Sequence, residues 1–486
     1  MSTRQALAFS FLDRYAGLLI NTGTAMVIAR LLTPAELGVY SVVMVMIGLV
    51  AVFRDLGAGQ YLVQHRSGDA AALGVTWTLQ SGLGTAFALV VYAGAWPLAA
   101  FYRDERIVGI MHVVALNFLV TPLLAFPNAQ LLRAMRFRTI AAIRFVGAIA
   151  NAATAIGLAW RGFGPVALAW GNLATTAVGI AITALFARLP MWQRPTTQGL
   201  REALRFGGGL TAVALLSTAR GGAPELLLGK LQTLAAAGLT SRAQGLAAMF
   251  QQLVLDAVGA VALPYFARES RAGRELAPPF LRAAELILGL GLAFFGVLLV
   301  LAFPIVRLLY GVQWDESVPL LRWFAFATAL ALPAAVCYSP LVAVGAIREV
   351  VVATVVSTVV GVAGIAIGAW FGPLEVAQAI AAVNAFGSVL WLVLAKPRIG
   401  FGWAALAAVA ARSAAVAAAA TAPALVTILA LGWEPHGRPF VALACLPLCL
   451  AAGALAGWAT RHALWLELVQ ALPVAGRRVA REPVSR

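Results

Sequence analysis

Stretches of about 20 apolar residues follow one another along almost the whole chain, broken only by short clusters of Arg, Pro and Gly. That is the length an α-helix needs to cross the hydrocarbon core of a bilayer. Backbone groups in hydrocarbon must be satisfied within the segment, so this pattern restricts the chain to a bundle of spanning helices. Charged residues make up only 11% of the 486 and hydrophobic ones 62%, against about 25% charged in soluble domains. No water-soluble fold of this size hides so much apolar surface.

The stretches place helices near residues 10–31, 37–57, 77–101, 107–131, 139–160 and 164–187, a first group of six. A second group lies near 205–229, 235–262, 281–308, 317–345, 349–371 and 375–395, and two more helices lie near 403–431 and 439–460. The expected fold class is therefore all-α, a polytopic membrane protein of about fourteen transmembrane helices. Three regions follow: residues 1–200, residues 201–400, and an appended pair with a basic tail over 401–486. The first stretch carries Asp13 and Arg14 near its start and has no small-residue cleavage site before Arg30 and Pro34, so it reads as a retained span and not a signal peptide.

The net charge of +16 would suggest nucleic acid in a soluble protein, but here the cations alternate between connections. One set of loops holds Arg133, Arg136 and Arg138, then Arg188, Arg194, Arg201 and Arg205, then Arg268, Arg271, Arg274 and Arg282, then Lys396 and Arg398, with Arg461, Arg477, Arg478, Arg481 and Arg486 in the tail. The other set is short and acidic, with Glu36, Asp104, Glu105, Asp315, Glu316, Glu375 and Glu434. Cations accumulate on the cytoplasmic side of membrane proteins, so both termini are expected in the cytoplasm, with an even number of spans and no nucleic-acid partner.

An internal repeat emerges at an offset of 200 residues. Arg30-Leu31-Leu32-Thr33-Pro34-Ala35-Glu36-Leu37-Gly38 aligns with Lys230-Leu231-Gln232-Thr233-Leu234-Ala235-Ala236-Ala237-Gly238, matching the cation, a leucine, the threonine, an alanine and the glycine. Each copy joins the first helix of a group to its second. An even number of helices separates the copies, which implies a parallel repeat about an axis along the membrane normal.

Ionisable groups at bilayer depth are costly, at least about 2.5 kcal/mol on insertion scales, so those present should face a cavity or a partner. Ser10, Arg14, Gly17, Asn21 and Thr24 recur at spacings of three and four on the first helix and share one face. Arg54 and Asp55 adjoin on the second, about 100° apart. The seventh contains Arg220, Gly221, Gly222, Pro224 and Glu225, where the proline after paired glycines is expected to kink or unwind the helix. The eighth carries Arg242 and Asp256, fourteen residues apart and on nearly the same face of a continuous helix.

Arg14, Asn21, Arg54, Arg220 and Arg242 are thus candidate substrate-binding residues of an anion-attracting cavity, against the alternative that the arginines snorkel to headgroups. Asp55, Glu225 and Asp256 are candidates for proton or sodium coupling. Asp13 and Glu285 could also carry protons or bind sodium, but each of these five acids taken singly fits a structural ion pair better, and Arg412 reads as structural. Enzyme chemistry finds no foothold. His65, His112, His436 and His462 are scattered, without metal-ligand spacing or a partnered nucleophile, and Gly207-Gly208-Gly209 is not followed by the Lys-Ser/Thr of a phosphate loop. Cys337, Cys445 and Cys449 lie in apolar segments and read as packed thiols. No enzyme activity, cofactor or metal is expected.

The stretch Ala29-Arg30-Leu31-Leu32-Thr33-Pro34-Ala35-Glu36-Leu37-Gly38-Val39-Tyr40, then Asp55-Leu56-Gly57-Ala58-Gly59-Gln60-Tyr61-Leu62-Val63-Gln64, then Leu132-Arg133-Ala134-Met135-Arg136-Phe137, resembles bacterial polysaccharide-transport proteins. These are the oligosaccharide flippases of the multidrug/oligosaccharidyl-lipid/polysaccharide exporter superfamily, and the resemblance is clearest over the first 140 residues. It implies two six-helix bundles forming a V that opens alternately to each side. It also implies movement of a polyprenyl-diphosphate-linked glycan to the periplasmic leaflet for exopolysaccharide, capsule or O-antigen assembly. Expected partners are that glycan, membrane lipids, and the polymerase and glycosyltransferases of the same pathway. A cation-coupled multidrug antiporter and a lipid II flippase are the alternatives. Helices thirteen and fourteen exceed a twelve-helix core; the resemblance to the related lipid II flippases, whose extra helix pair is associated with a groove for the lipid tail, implies the same use here, at the Ala415 to Ala420 and Gly453-Ala454 to Gly457 faces.

Overall fold

The structure, a computed structural model, describes residues 3–55, 70–187, 189–197, 200–434 and 439–471. Side chains of 3–15, 53–55, 70–72, 187, 200–214, 260, 439 and 468–471 are outside that description, and the described residues contain no strand. The chain packs as two units, Met1–Gly238 and Leu239–Arg486.

The first unit holds α1 (Thr3–Leu31), α2 (Pro34–Asp55), α3 (Ala70–Tyr102), α4 (Arg106–Val120), α5 (Pro122–Arg133), α6 (Phe137–Trp160), α7 (Val166–Ile182), α8 (Leu200–Leu231) and the opening turn of α9 (Leu234–Ala247). Helix α6 lies along α7 and α1, α3 along α4, and α2 along α8. Its core gathers Val39, Val43 and Ile47 of α2 with Ile107, Ile110, Val114 and Phe118 of α4.

The second unit continues α9 and adds α10 (Asp256–Arg271), α11 (Ala277–Val300), α12 (Ala302–Leu309), α13 (Ser317–Ala335), α14 (Tyr338–Ala343), α15 (Ile347–Phe371), α16 (Pro373–Ile399), α17 (Trp403–Leu431), α18 (Pro439–Leu443), α19 (Leu446–Ala459) and α20 (Ala463–Ala471). Here α16 packs between α13 and α15, while α17 packs between α11 and α19. Large apolar side chains point outward in both units, among them Leu89, Trp160, Phe186, Trp370, Phe371, Leu450 and Trp458. An apolar exterior of this extent belongs in lipid, and the protein is a multi-pass membrane protein.

Among the described residues, eleven helices are long and apolar enough to cross a membrane, and a bent pair makes a twelfth. These twelve coincide with expected spans. The two others of the expected fourteen, the first and seventh, fall on α1 and α8, whose N-terminal side chains are not described. The expected single helix over 107–131 is instead that bent pair, α4 and α5, turned through 46°. Pro122 cannot donate to the Phe118 carbonyl and its ring clashes there, so the helix breaks at Thr121, whose hydroxyl donates to the Asn117 carbonyl at 2.6 Å.

The repeated motif acquires a physical meaning. Thr33 caps α2: its hydroxyl accepts from the Glu36 backbone N–H at 3.3 Å, and the Glu36 carboxylate accepts from the Thr33 N–H at 2.8 Å. With Pro34 in the first turn this is a capping box followed by proline. Thr233 repeats half of it, its hydroxyl accepting from the Ala236 N–H at 3.0 Å. Alanine at 236 cannot return the bond.

Part of the small-residue faces of the last two spans is taken up by helix packing. A Cβ at Gly453 would stand 3.1 Å from that of Ala420, and Ala417, Ala420 and Gly457 are buried. These residues pack α17 against α19, as small residues commonly do between membrane helices, while Ala415 and Ala418 of the same stretch are exposed.

Candidate functional site

Helix α8 runs unbroken from Leu200 to Leu231 with Pro224 inside it, so the expected unwinding after Gly221-Gly222 does not occur. Packing explains why: the residues flanking Pro224 are pressed against α2 along one face. A Cβ at Gly222 would fall 2.0 Å from Val45 Cγ1, and one at Gly229 would fall 2.9 Å from Val42 Cγ2. Tyr102 fastens the same stretch, its phenol donating to the Leu226 carbonyl at 3.1 Å. Lys230 Nζ donates to the Phe101 carbonyl at 2.6 Å and stands 3.9 Å over that residue's ring.

Glu225 lies on this packed face, three residues after Gly222 and four before Gly229. It is 7% exposed, and its Oε2 is buried without a hydrogen-bond partner. A carboxylate so placed is costly unless it takes up a proton or a cation. Among the predicted acids whose side chains are described, Glu225 is the one with a buried carboxyl oxygen that lacks a hydrogen-bond partner.

Arg220 is half-buried on another side of α8, about 140° around the helix from Glu225. Beside it, a Cβ at Gly221 would meet nothing within 4 Å, so that side of the helix adjoins open volume. The two candidates therefore have different surroundings: an arginine beside space, an acid inside packing.

The remaining predicted residues are dispersed. Asn21 is exposed on α1, and Thr24 in the same stripe spends its hydroxyl on the Ile20 carbonyl at 2.7 Å. Arg14, Arg54, Asp55 and Asp13 lie where side chains are not described. Arg242 and Asp256, expected on one continuous helix, are separated by the end of α9 at Ala247 and a π-helical turn over Gln251–Leu255. Each π turn changes the angular register, so the same-face argument fails. The Arg242 guanidinium instead stands 5.9 Å over the Tyr310 ring, and exposed Asp256 accepts from Gln251 Nε2 at 3.0 Å.

One polar cluster is not legible as a cluster in the sequence, although Glu285 and Arg412 stand out singly. His462 is fully buried and its Nδ1 accepts from the Leu464 N–H at 3.2 Å. In the neutral ring the proton is therefore on Nε2, which lies 3.0 Å from buried Ser413 Oγ; that hydroxyl in turn donates to the Glu285 carbonyl at 3.4 Å. The Glu285 side chain is held by Arg412 Nε at 2.9 Å, and Gly289 leaves room for the imidazole, whose Cε1 would stand 2.3 Å from any Cβ there. This cluster ties α11 and α17 to the turn before α20. Glu285 and Arg412 are thus a structural pair.

Among the described residues, no group of three His, Cys, Asp or Glu side chains could hold a metal ion.

A sequence model of the family described as "Polysaccharide biosynthesis protein" matches residues 27–319. The amylovoran biosynthesis protein AmsL of Erwinia amylovora is 29% identical over 244 residues, 49% of this chain and 62% of that protein. The succinoglycan biosynthesis transport protein ExoT of Rhizobium meliloti (strain 1021) is 22% identical over 315 residues, 64% and 63% of the two chains. The match thus spans less than two thirds of each relative's length. In fold, the chain is similar to the lipid II flippase MurJ in an inward closed conformation, with a TM-score of 0.74 at 13% identity over 96% of this chain and 100% of that one. It is also similar to an inward-facing multidrug resistance MATE family transporter, with a TM-score of 0.64 at 15% identity over 79% and 94% of the chains.

Proposed function

The chain belongs to the polysaccharide biosynthesis protein family, and from that premise we propose that it flips a polyprenyl-diphosphate-linked oligosaccharide from the cytoplasmic to the periplasmic leaflet of the bacterial inner membrane. The family match over residues 27–319 is the observation that carries this reading, because it includes both copies of the repeated motif. The relatives' names, amylovoran biosynthesis and succinoglycan biosynthesis transport, support a role in polysaccharide assembly, which we read as exopolysaccharide, capsule or O-antigen.

A diphosphate sugar cannot enter hydrocarbon unaided. In this reading Arg220, beside open volume, attracts the diphosphate, with Arg14, Asn21, Arg54 and Arg242 as further contacts. Glu225 carries the coupling proton or sodium ion, and Asp55 and Asp256 are secondary candidates. Both termini are cytoplasmic, residues 1–200 and 201–400 act as the two six-helix bundles of an alternating-access transporter, and residues 401–486 are appended. The protein is a transporter and not an enzyme, needs no cofactor, and works with the polymerase and glycosyltransferases of its pathway.

Replacing Arg220 with Ala should lower glycan export while leaving the amount of membrane-inserted protein unchanged. Wild-type export in Arg220→Ala, and in the double variant with Arg242→Ala, would remove the arginines from the path. A second reading, a cation-coupled multidrug antiporter, is favoured by the buried Glu225 Oε2, which has no hydrogen-bond partner. It requires resistance to cationic dyes in a sensitised host. Rescue of a strain lacking its lipid II flippase would instead assign that substrate.

A further inference from the structure

On the second unit, a groove of about 380 Å³ opens between α11, α13, α16 and α17. Its wall includes Leu288 and Leu292 of α11, Leu330 and Pro333 of α13, and Leu406 and Ala407 of α17. Such a volume is in the range that accepts a small ligand, about 300 to 1,000 Å³. The lining side chains named here contain no hydrogen-bonding group, so the occupant must be a hydrocarbon chain.

One end of the groove carries different chemistry. Trp403, the first residue of α17, lines it there, and the lining continues along α17 to Ala410, about 10 Å at helical rise. Helix α16 ends at Ile399, immediately before the turn that leads to Trp403, so this end is at the level where spanning helices leave the membrane. Two cations occupy the last turn of α16. Arg398 is committed, its Nε donating to Glu349 Oε1 at 2.8 Å. Lys396 has no carboxylate partner among the described residues, and its Nζ stands 5.2 Å over the Trp403 ring. An apolar slot thus ends in an interfacial tryptophan and an ammonium whose charge is unmatched.

We propose that this groove binds an anionic phospholipid of the bilayer, one acyl chain lying along Leu406, Leu288 and Leu330 and the phosphate pairing with Lys396 beside Trp403. Tryptophan and lysine are both suited to the headgroup level, and cationic pockets at helix ends select anionic headgroups. The site faces four helices of one unit and does not depend on the transported substrate. Its consequence is that α17, outside the twelve-helix core, is joined to α13 and α16 partly through lipid.

The test is native mass spectrometry of the full chain, released from detergent after titration with dioleoyl phosphatidylglycerol or dioleoyl phosphatidylcholine. The wild type should retain one phosphatidylglycerol with roughly fivefold preference over phosphatidylcholine, the gain expected of one interfacial lysine. Lys396→Ala should bring that ratio to about one. Ala407→Trp, which fills the groove from an exposed position, should reduce retention of both lipids. Equal retention by the wild type, an unchanged preference in Lys396→Ala, or undiminished binding in a folded Ala407→Trp would each overturn the proposal. Displacement of phosphatidylglycerol by undecaprenyl phosphate would also overturn it, by assigning the groove to a carrier lipid's tail. If Ala407→Trp does not fold, the Lys396→Ala ratio decides.

Discussion

Gly38 and Gly238, aligned by the 200-residue repeat, meet in space. A Cβ on Gly38 would stand 1.6 Å from the Leu234 carbonyl oxygen, and a Cβ on Gly238 would stand 2.0 Å from the Pro34 carbonyl oxygen. Pro34 and Leu234 are themselves aligned in the repeat. The contact is reciprocal, as a two-fold relation between the copies of the motif requires, and it brings the first turns of α2 and α9 together backbone to backbone.

Gly38→Ala and Gly238→Ala should therefore each destabilise the protein by at least about 1 to 3 kcal/mol, the cost of overpacking. Because both changes disturb one contact, the double variant should fall short of the sum. Thermal melting in detergent checks this, and an unchanged midpoint in both single variants would contradict the close approach.

The two threonine caps are unequal. Thr33→Ala removes both bonds of the hydroxyl with Glu36, the one it donates to the carboxylate at 2.9 Å and the one it accepts from the N–H at 3.3 Å, and should cost about 1 kcal/mol. Thr233→Ala loses only the bond from the Ala236 N–H and should cost less. Comparison of the two melting midpoints tests that order.

Glu225→Gln keeps the shape of the side chain and removes its charge. Stability should be retained or rise, since the buried Oε2 has no partner to lose. Under the proposed coupling, glycan export should lose its dependence on the proton or sodium gradient. A large fall in melting temperature would show instead that the carboxyl is a structural element.

The His462 cluster predicts a dependence on pH. Burial holds the imidazole below its ordinary value near 6.5; the Glu285 carboxylate opposes this shift and the Arg412 guanidinium adds to it. A protonated ring would also turn Nδ1 into a donor facing the Leu464 N–H. Below about pH 6.5 the unfolded chain therefore binds a proton that the folded chain refuses, and stability falls as pH drops from that point toward the folded value. Melting midpoints measured between about pH 7.5 and pH 5.5 should decline in the wild type and decline less in His462→Gln. Equal slopes would remove His462 as the cause.

Local chemistry explains what could be read before folding. Apolar length and the alternation of arginine-rich and acidic loops specify spanning helices, because hydrocarbon tolerates no unsatisfied backbone and no unpartnered charge. Glu225 was legible in the same way, as an acid inside an apolar helix. Its missing partner was not, because that depends on α2 closing over Gly222 and Gly229. Same-face reasoning failed for Arg242 and Asp256, since helical periodicity cannot anticipate a π-helical turn. His462 gave no sign at all: Glu285 and Ser413 are 177 and 49 residues away in sequence, and only tertiary packing assembles the three.

The sequence by itself determined a membrane-embedded, all-helical chain with a repeated capping motif, through interactions that act within one helix or between one residue and its solvent. Tertiary structure alone decided which polar groups are paired and which are left waiting. Arg398 is committed to Glu349 while Lys396, two residues away, is not, and Glu285 is clamped by Arg412 while the Glu225 Oε2 is bare. The physical reason is that pairing depends on distances of a few ångströms between helices far apart in the chain, which no local pattern encodes.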